Sequence, residues 1–595
     1  MEMAEARGKL NQQPSENVKL RQRCERRRSA MLSERGVWIP DWMQVTDYVD
    51  PARGRFETPA TGTKKPKRNR SKIINSTATR CVRVAAAGMS SHMTSKARPW
   101  FQLSTPDPEV GKLQHVKVWL DDVTEIIRET LAKSNFYKAM PVMYTEDLSY
   151  GVAAMLSLPH EEEVVRFHPM TIGSYAIALD KAGKVDSLWR CYRRTARQLV
   201  ETYGVDDEAT GERKPDLSRL PERVAKAYKE RPDSQFTVES LFEPNPDAEP
   251  GMGPLGVQAP MLRPWREVTW ISGMADEKHG VLRVGGHYEA PFVCIRFNPV
   301  GDEIYSTAPG VDTLGDIKQL QYLEGQKLKL IDLLAEPPLS VPDSMRNLGA
   351  SLSPRARNFL PNTQHGLEVK PTYTPDPNAL RFIVEEIREV EARIEDAFFY
   401  NLFLLLDSLG DQAGRTAFEI AERKDEKATV LGPTLEIVTD EGLDPTVIRT
   451  YRLLERAGRI PPPPMELAGV LLKIEYTSIL AQAMKASGVV GIERTATFVA
   501  SMAQFDPSAL DNFDADAAIA EYNDRTGGPA RIIRGEDDVA AIREGRAQQQ
   551  MMQQMAEMAP AARDGAQAIK TLDESVPQPG SLGEGLADRM GAPGA

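Results

Sequence analysis

Apolar side chains recur every three or four residues along most of the chain, a spacing that is typical of helices with one buried face. The spacing predicts helices over about residues 73–93, 111–140, 311–335, 377–406, 466–486 and 491–504. Pro141 is predicted to end the second of these helices, because proline has no backbone N–H to donate. Pro40 and Asp41 interrupt the aromatic stretch at 38–48, which is therefore predicted to be an irregular, docked segment.

The middle of the chain carries a strand pattern instead. Residues 175–179 and 185–192 are largely apolar and flank a glycine-containing turn, which predicts a β-hairpin. Residues 265–272 and 291–297 predict two further strands. Together they indicate a strand-rich block at about 161–300, so the predicted fold class is α+β and predominantly helical.

The helix predicted over 377–406 carries the clearest separation of apolar and charged positions. Its apolar stripe consists of Leu380, Ile383, Ile387, Val390, Ile394, Phe398, Leu402 and Leu405. Carboxylates occupy its other faces, at Glu385, Glu386, Glu389, Glu391, Glu395 and Asp396. A helix of this extent would be about 45 Å long. We expect it to pack laterally in an assembly, with its charged side facing solvent or a channel.

Glycine and proline divide the rest of the C-terminal half. Residues 407–414 contain two glycines and predict a flexible loop, after which a helical pattern resumes at Arg415. From about residue 536 the chain is rich in glutamine and methionine, and then in proline, glycine and alanine. This composition predicts a solvent-exposed or self-associating helix followed by a disordered tail.

Two dense basic runs lie near the start of the chain. The first contains Arg21, Arg23, Arg26, Arg27 and Arg28, and the second contains Lys64, Lys65, Lys67, Arg68, Arg70 and Lys72. They indicate either a solvated helix face and a polar loop, or contact with an anionic partner such as DNA or an acidic neighbouring surface.

Composition narrows the class of protein. The chain has 595 residues, of which 41% are apolar and 27% are charged, so it is long enough for about four globular units. Its net charge of −11 argues against a protein that coats nucleic acid. Four scattered cysteines give no disulfide framework, and no long apolar run or export signal is present, so we expect synthesis in the cytoplasm and no membrane partner.

Motifs for catalysis are missing from the sequence. There is no phosphate-binding loop of the GxxxxGK[ST] kind, and the stretch that starts at His160 lacks the second histidine of HExxH. The spacing of His279, His287 and Cys294 matches no standard zinc pattern. Acidic pairs such as Asp121 with Asp122 and Asp206 with Asp207 are expected by chance among 85 acidic residues. We therefore predict no catalytic residues, no metal and no cofactor.

Four stretches, taken in order, carry a resemblance to a known family. The most specific is Tyr305–Leu320, in which a tyrosine is followed by a Leu-Gly-Asp-aliphatic-basic entry into a helix. The others are Asn75–Leu103, Ala290–Asn298 with its Pro-aromatic-x-x-Ile-Arg strand, and Leu409–Glu422 with Arg-Thr-Ala after a glycine-containing loop. Over about residues 20–500 the chain resembles the head-to-tail connector, or portal, proteins of short-tailed bacteriophages.

The resemblance implies a homo-oligomeric ring, usually of twelve copies, at one vertex of the capsid. Double-stranded DNA would pass through the central channel without sequence specificity. The implied partners are the large terminase packaging motor, the major capsid and scaffold proteins and a tail adaptor protein. The implied location is the virion, after assembly in the host cytoplasm.

The resemblance also implies a division into regions. These are an N-terminal wing at 1–310 with its strand-rich block, stem helices at 311–335 and 377–406, a clip at 336–376, a tunnel loop at 407–414, a long wing helix at 415–458, crown helices at 459–535 and a tail at 536–595. Helices spaced roughly 10 Å apart in a ring of twelve would leave a bore of about 28 Å, which is wide enough for a duplex.

Candidate residues follow from these regions. The candidates for the DNA channel are Lys327, Lys329, Glu385, Arg388, Glu389, Arg393, Gly410, Asp411, Gln412, Gly414 and Arg415. The candidates for partner docking in the clip are Arg355, Arg357, Asn358 and Phe359. An acidic bore would repel phosphates, while scattered basic residues would give brief contacts. Two alternatives stay open, since Glu389 and Arg393 are spaced to pair along their helix and 407–414 would also suit a plain helix connection.

Two other classes of protein remain as rival interpretations. A magnesium-dependent DNA-processing enzyme would use clustered carboxylates, but it assigns no role to the long acidic helix. An internal capsid scaffold protein would suit the Met- and Gln-rich end, but a simple scaffold does not require the strand-rich middle.

Overall fold

The fold is known from a computed structural model of the chain. The structure describes residues 14–56, 72–203, 217–248, 258–274, 280–340, 370–371, 376–409, 432–467, 469–470, 472–477, 479–526 and 539–552. Within them the protein combines helices with antiparallel sheets, so the predicted α+β class is confirmed.

The first helix, α1 (Pro14–Tyr48), includes the aromatic stretch that was predicted to be irregular, and that prediction was wrong. Trp42 is fully buried, and its Nε1 donates to the Tyr150 carbonyl oxygen at 3.1 Å. Pro40 lies inside the helix, where it leaves the carbonyl of Gly36 without its usual donor. Because Pro40 and Gly36 are both exposed, that carbonyl can bind water instead, and burial of the aromatic face outweighs the loss.

A group of helices follows, with bounds α2 (Thr77–His92), α3 (Pro108–Lys112), α4 (Gln114–Lys133) and α5 (Phe136–Tyr150). The helix predicted at 73–93 is confirmed. The helix predicted over 111–140 is wrong in its end, because the chain turns at Asn135 and Pro141 lies inside α5. Asn135 holds that turn by donating to the Phe167 carbonyl at 2.7 Å and accepting from the Phe167 N–H at 2.8 Å.

The strands form two main antiparallel sheets. Their bounds are β1 (Phe101–Ser104), β2 (Val152–His160), β3 (Val164–Pro169), β4 (Tyr175–Leu179), β5 (Val185–Thr195), β6 (Gln235–Pro244), β7 (Trp265–Ile271), β8 (Val281–His287) and β9 (Phe292–Arg296). One sheet has the order β4-β5-β6-β7-β8 and the other has the order β3-β2-β9. The predicted hairpin and both further strands are confirmed, as β4 with β5, β7 and β9. Strands β2, β3, β6 and β8 were not predicted.

The burial of strand β2 on both faces explains why its sequence shows no alternation of apolar and polar residues. Ala153 and Met155 point into a core built mainly from helices, whereas Val152, Ala154 and Leu156 point into a second core that the five-stranded sheet shares. A strand that is buried on both faces is apolar at every position and does not alternate. It therefore separates the two largest clusters of buried side chains in the protein.

Two short helices, α6 (Ala196–Tyr203) and α7 (Glu222–Glu230), follow β5. The helices after β9 are α8 (Pro309–Asp312), α9 (Leu314–Ala335), α10 (Pro377–Ala397) and α11 (Tyr400–Leu409). The helix predicted at 311–335 is confirmed, starting at Leu314.

The helix predicted over 377–406 is broken, because Phe399 takes a left-handed backbone with φ of +55°. Phe398 is fully buried at the break, and Phe403 beyond it packs against Gly88 of α2. The straight segment is therefore 21 residues and about 32 Å long, not about 45 Å.

The remaining elements are β10 (Leu339–Ser340), β11 (Lys370–Pro371), α12 over residues 432–456, β12 (Lys473–Tyr476), α13 (Ile479–Ala503), α14 (Ala515–Thr526) and α15 over residues 539–552. One continuous helix, α13, covers the end of the helix predicted at 466–486 and the helix predicted at 491–504. The start of the first prediction was wrong, because β12 pairs antiparallel with β1 there. In the described residues no helix combines the length and the apolar composition that a membrane span requires.

Candidate functional site on the paired helices

Helices α9 and α10 lie side by side as a hairpin, and strands β10 and β11 pair with each other beyond the end of α9 and before the start of α10. Arg393 Nε lies 3.3 Å from Asp316 Oδ1, and Gln319 Nε2 donates to Glu386 Oε1 at 3.1 Å. The apolar stripes of the two helices meet the core at Ile317 and Leu320 on α9 and at Ile387, Val390 and Ile394 on α10. The remaining faces of both helices are left outside the core.

The residues just before α2 fasten both helices at their base. Asn75 Nδ2 donates to Glu324 of α9 at 3.1 Å and to Glu391 of α10 at 2.8 Å. The Gln321 side chain accepts from the backbone N–H of Ile74 and of Asn75, at 2.7 and 2.9 Å. These hydrogen bonds fix the base of the hairpin to the body of the protein, while its other end extends away from the core.

The outward face of α10 is acidic. Glu385, Glu389 and Asp396 are exposed and follow spacings of four and seven residues, which places them on the side opposite the buried stripe. Phe382, which is 70% exposed, lies one turn before Glu385 on the same side. The prediction of an acidic face that is turned away from the core is confirmed for these residues, whereas what this face meets is untested.

Several predicted channel residues make contacts within the chain. Arg393 pairs with Glu389 at 3.5 Å as well as with Asp316. The alternative that Glu389 and Arg393 pair along their own helix is therefore confirmed. Lys327 is half-buried and pairs with Glu324. Lys329 and Arg388 are exposed. The structure therefore brings the channel candidates of α9 and α10 onto one hairpin, but on different faces of it.

The remaining candidates lie outside the described residues. They are Gly410, Asp411, Gln412, Gly414 and Arg415 of the predicted tunnel loop, and Arg355, Arg357, Asn358 and Phe359 of the predicted clip.

The first basic run contacts an acidic surface of the same chain. Arg28 pairs with Glu239 of β6 at 3.0 Å, and Arg23 lies 3.9 Å from Glu243. Arg21 is buried and donates to the backbone carbonyls of Ile271 and Met274. These three arginines therefore contact residues of the same chain, because α1 packs across the five-stranded sheet, and contact of the basic run with an anionic partner stays a prediction.

Sequence reasoning missed a buried group of charges next to β9. The Arg296 Nε donates to Glu441 at 3.1 Å, and the Arg296 backbone N–H donates to the same carboxylate at 3.0 Å. Asp147 of α5 is fully buried, and neither of its carboxylate oxygens has a hydrogen-bond partner among the described residues. Burial, with Glu441 nearby, raises the pKa of Asp147 well above its usual range. The only signal in the sequence was two adjacent acids, Glu146 and Asp147, inside a largely apolar helix.

The described part of the chain has no group of three or more His, Cys, Asp or Glu side chains that could hold a metal ion. His287 instead lies 3.2 Å from Glu267, and Asp121 accepts from Gln102 at 3.2 Å.

Comparisons with known proteins agree with one another. A family model described as bacteriophage head to tail connecting protein matches residues 21–533. The portal protein of Salmonella phage epsilon15 is 33% identical over 564 residues, which cover 95% of this chain and 97% of that protein. A probable portal protein of Bordetella phage BPP-1 is 34% identical over 545 residues, which cover 92% of this chain and 94% of that protein.

A solved chain from the virion of a native gene transfer agent particle aligns over 71% of this chain and 86% of its own length. Its TM-score is 0.30 at 11% identity, a level that does not define a shared fold.

Proposed function

We propose, from the premise that the chain belongs to the bacteriophage head to tail connecting protein family, that its α9–α10 hairpin lines a channel for double-stranded DNA. The protein has the portal role, which is structural rather than catalytic, and it is a component of the virion that joins head and tail. DNA would enter through the channel during packaging and leave through it during ejection.

The observation that carries this proposal is the exposed acidic face of α10. Glu385, Glu389 and Asp396 lie on the side away from the core, so in a ring with this side inward they would face the duplex. Carboxylates repel phosphates, and the repulsion extends over about 10 Å at 0.1 M salt. Passing DNA would therefore not adhere to the wall.

The ring is the second part of the proposal. Twelve copies would place the hairpin as the stem, the wing at 1–310 and the long wing helix at 415–458 outside it, and the crown at 459–535 beyond it. The clip at 336–376 would dock the packaging motor and later the tail adaptor, and the tunnel loop at 407–414 would contact DNA. The ATPase would belong to the motor, since the sequence has no phosphate-binding loop. The ring would assemble in the host cytoplasm with the major capsid and scaffold proteins.

Native mass spectrometry of the purified protein, together with class averages of negatively stained particles, tests the ring. We expect closed rings of about twelve subunits with a central hole. A persistent monomer at every concentration would contradict a ring that assembles from this protein alone, and a monomer that also cut DNA with magnesium would overturn the proposal in favour of an enzyme.

Charge reversal on α10 tests the channel face. In rings of Glu385→Lys/Glu389→Lys we expect a DNA fragment to bind more tightly than to the parent, with an affinity that falls steeply as salt rises. Packaging should slow at low salt and recover at higher salt. The matched control is Glu161→Lys/Glu162→Lys, which makes the same charge change at the exposed turn between β2 and β3. If both variants bind and package alike, the acidic face of α10 does not line the path of the DNA.

A further inference from the structure

One side of the hairpin carries a row of exposed arginines. Arg381 and Arg388 of α10 are seven residues apart and lie on one stripe, which Glu395 continues. Glu395 accepts from Arg80 of α2 at 2.9 Å, and Arg83 is exposed one turn further along α2. We call Arg80, Arg83, Arg381 and Arg388 the arginine edge. Among the described residues, Glu395 is the one carboxylate that pairs with a member of this edge.

The contacts of α10 show which way the arginine edge faces. Arg393 reaches α9 through Asp316, and Arg388 lies five residues before it, about 140° around the helix. Glu395, which pairs with Arg80 of α2, lies about 160° from Arg393 around the helix. The arginine edge is therefore on the side of α10 that is turned away from α9, and it is distinct from the outward acidic face.

The opposite side of the hairpin is bounded by α1. Lys318 of α9 contacts Gln44 of α1, and it lies two residues, or about 160°, from Asp316, which faces α10. Glu34, Val37, Asp41 and Gln44 are separated by steps of three, four and three residues, so they form one stripe of α1. Glu34 and Asp41 are exposed, and Val37 between them is 77% exposed. We call Glu34, Val37 and Asp41 the α1 stripe.

We propose that the arginine edge of one copy of this chain docks on the α1 stripe of the next copy. The two surfaces carry opposite charges and lie on opposite sides of the same hairpin, which is the arrangement that a head-to-tail contact requires. The exposed valine gives the contact an apolar centre between two carboxylates. This inference rests on the proposed ring and identifies the surfaces that hold neighbouring copies together.

Charge complementarity of this kind acts chiefly on the choice of partner and on the rate of encounter, because exposed ion pairs add little affinity one by one. Reversing two charges on one side, however, places like charges opposite each other at those positions of the contact. Assembly is therefore the property that should change.

The test uses two variants of the full chain. Arg83→Glu/Arg388→Glu reverses the arginine edge at positions where each side chain is exposed, and Glu34→Lys/Asp41→Lys reverses the α1 stripe. We expect the fraction of protein in rings to fall at least tenfold for either variant alone. A one-to-one mixture should recover rings that contain both variants equally, because the reversed positions of each variant then face opposite charges on its neighbours.

Circular dichroism and melting curves establish that each variant is folded. The milder variant Arg83→Gln/Arg388→Gln removes the two positive charges without reversing them, and it should weaken the rings and reduce their sensitivity to salt. The control Glu161→Lys/Glu162→Lys, at the exposed turn between β2 and β3, should assemble as the parent does.

Three results would overturn the inference: rings at parental levels for both reversed variants, no recovery in the mixture, or arginine variants that lose DNA retention but not rings. In each of these the parent still forms rings, so the proposed function survives. A parent that forms no rings removes both.

Discussion

The buried carboxyl group of Asp147 makes the stability of this protein depend on pH in a way that one substitution removes. Asp147 is fully buried on α5, both of its oxygens lack a hydrogen-bond partner among the described residues, and Glu441 lies nearby. Burial disfavours the charged form, so the pKa of Asp147 is well above its usual range in the folded protein.

The sign of the effect follows from this direction. A carboxyl whose pKa is higher in the folded state takes up a proton on folding at pH values between its unfolded pKa of about 3.9 and its folded pKa. The stability that the neutral carboxyl permits is fully present below the unfolded pKa and is lost as the pH rises through the folded pKa. The free energy of unfolding falls by about 1.4 kcal/mol for each pH unit between the unfolded pKa and the folded pKa.

Asp147→Asn keeps the size and polarity of the side chain but cannot ionise. We expect the variant and the parent to unfold with similar free energies near pH 4, and the variant to gain about 1.4 kcal/mol on the parent per pH unit until the pH passes the folded pKa. Urea unfolding between pH 4 and pH 8, followed by fluorescence of the buried Trp42, Trp100, Trp189 and Trp270, measures the difference.

Glu162→Gln, at an exposed position in the β2–β3 turn, is the control and should give a nearly constant difference. If the curves of Asp147→Asn and the parent run parallel over the whole range, Asp147 is solvated or paired in the folded protein, and the reasoning from its burial is refuted.

Two further predictions concern packing and charge. A Cβ at Gly88 would lie 2.3 to 2.7 Å from three atoms of Phe403, so Gly88→Ala should cost about 1–3 kcal/mol of unfolding free energy, and Phe403→Leu should relieve part of that cost in a double-mutant cycle. Simple addition of the two costs would show that Gly88 and Phe403 do not share this contact. Glu441→Gln leaves the 5% exposed Arg296 without its anionic partner and should cost about 3–5 kcal/mol in urea unfolding. Glu389→Gln at the exposed Arg393 pair should cost less than about 1 kcal/mol, and equal losses would contradict the difference in burial.

The helices and strands that the sequence predicted correctly have one of two local patterns. Helix α9 has apolar residues at helical spacing, and strands β4, β5 and β9 are short, largely apolar runs next to turn residues. Strand β2 was missed because it is apolar without alternation and follows helix α5 with only Gly151 between them, so no turn cluster separated it from the helical pattern.

The errors at Pro40, Pro141 and Phe399 have a different origin. A proline in a helix costs one hydrogen bond, and at both positions burial of neighbouring side chains outweighs that cost. Phe399 has no unusual local sequence, yet its backbone is left-handed because Phe398 and Phe403 on either side are buried in different clusters. Tertiary packing decides the backbone conformation at all three positions, and the periodicity of the sequence carries no information about that packing.

The charges of the candidate site were the least predictable feature, since helical spacing fixes which residues share a face but not what that face meets. Glu389 and Arg388 are neighbours in sequence, but a step of one residue is 100° around the helix, so Glu389 lies on the outward face and Arg388 on the arginine edge. The contacts of Arg393 with Asp316 and of Arg80 with Glu395 orient these faces in the molecule. Under the proposed ring, the separation lets one helix repel DNA on its outward face and attract a neighbouring copy on its side. The charges that keep DNA from adhering to the channel wall and the charges that hold the ring closed then lie on different faces of α10, so the two requirements do not conflict.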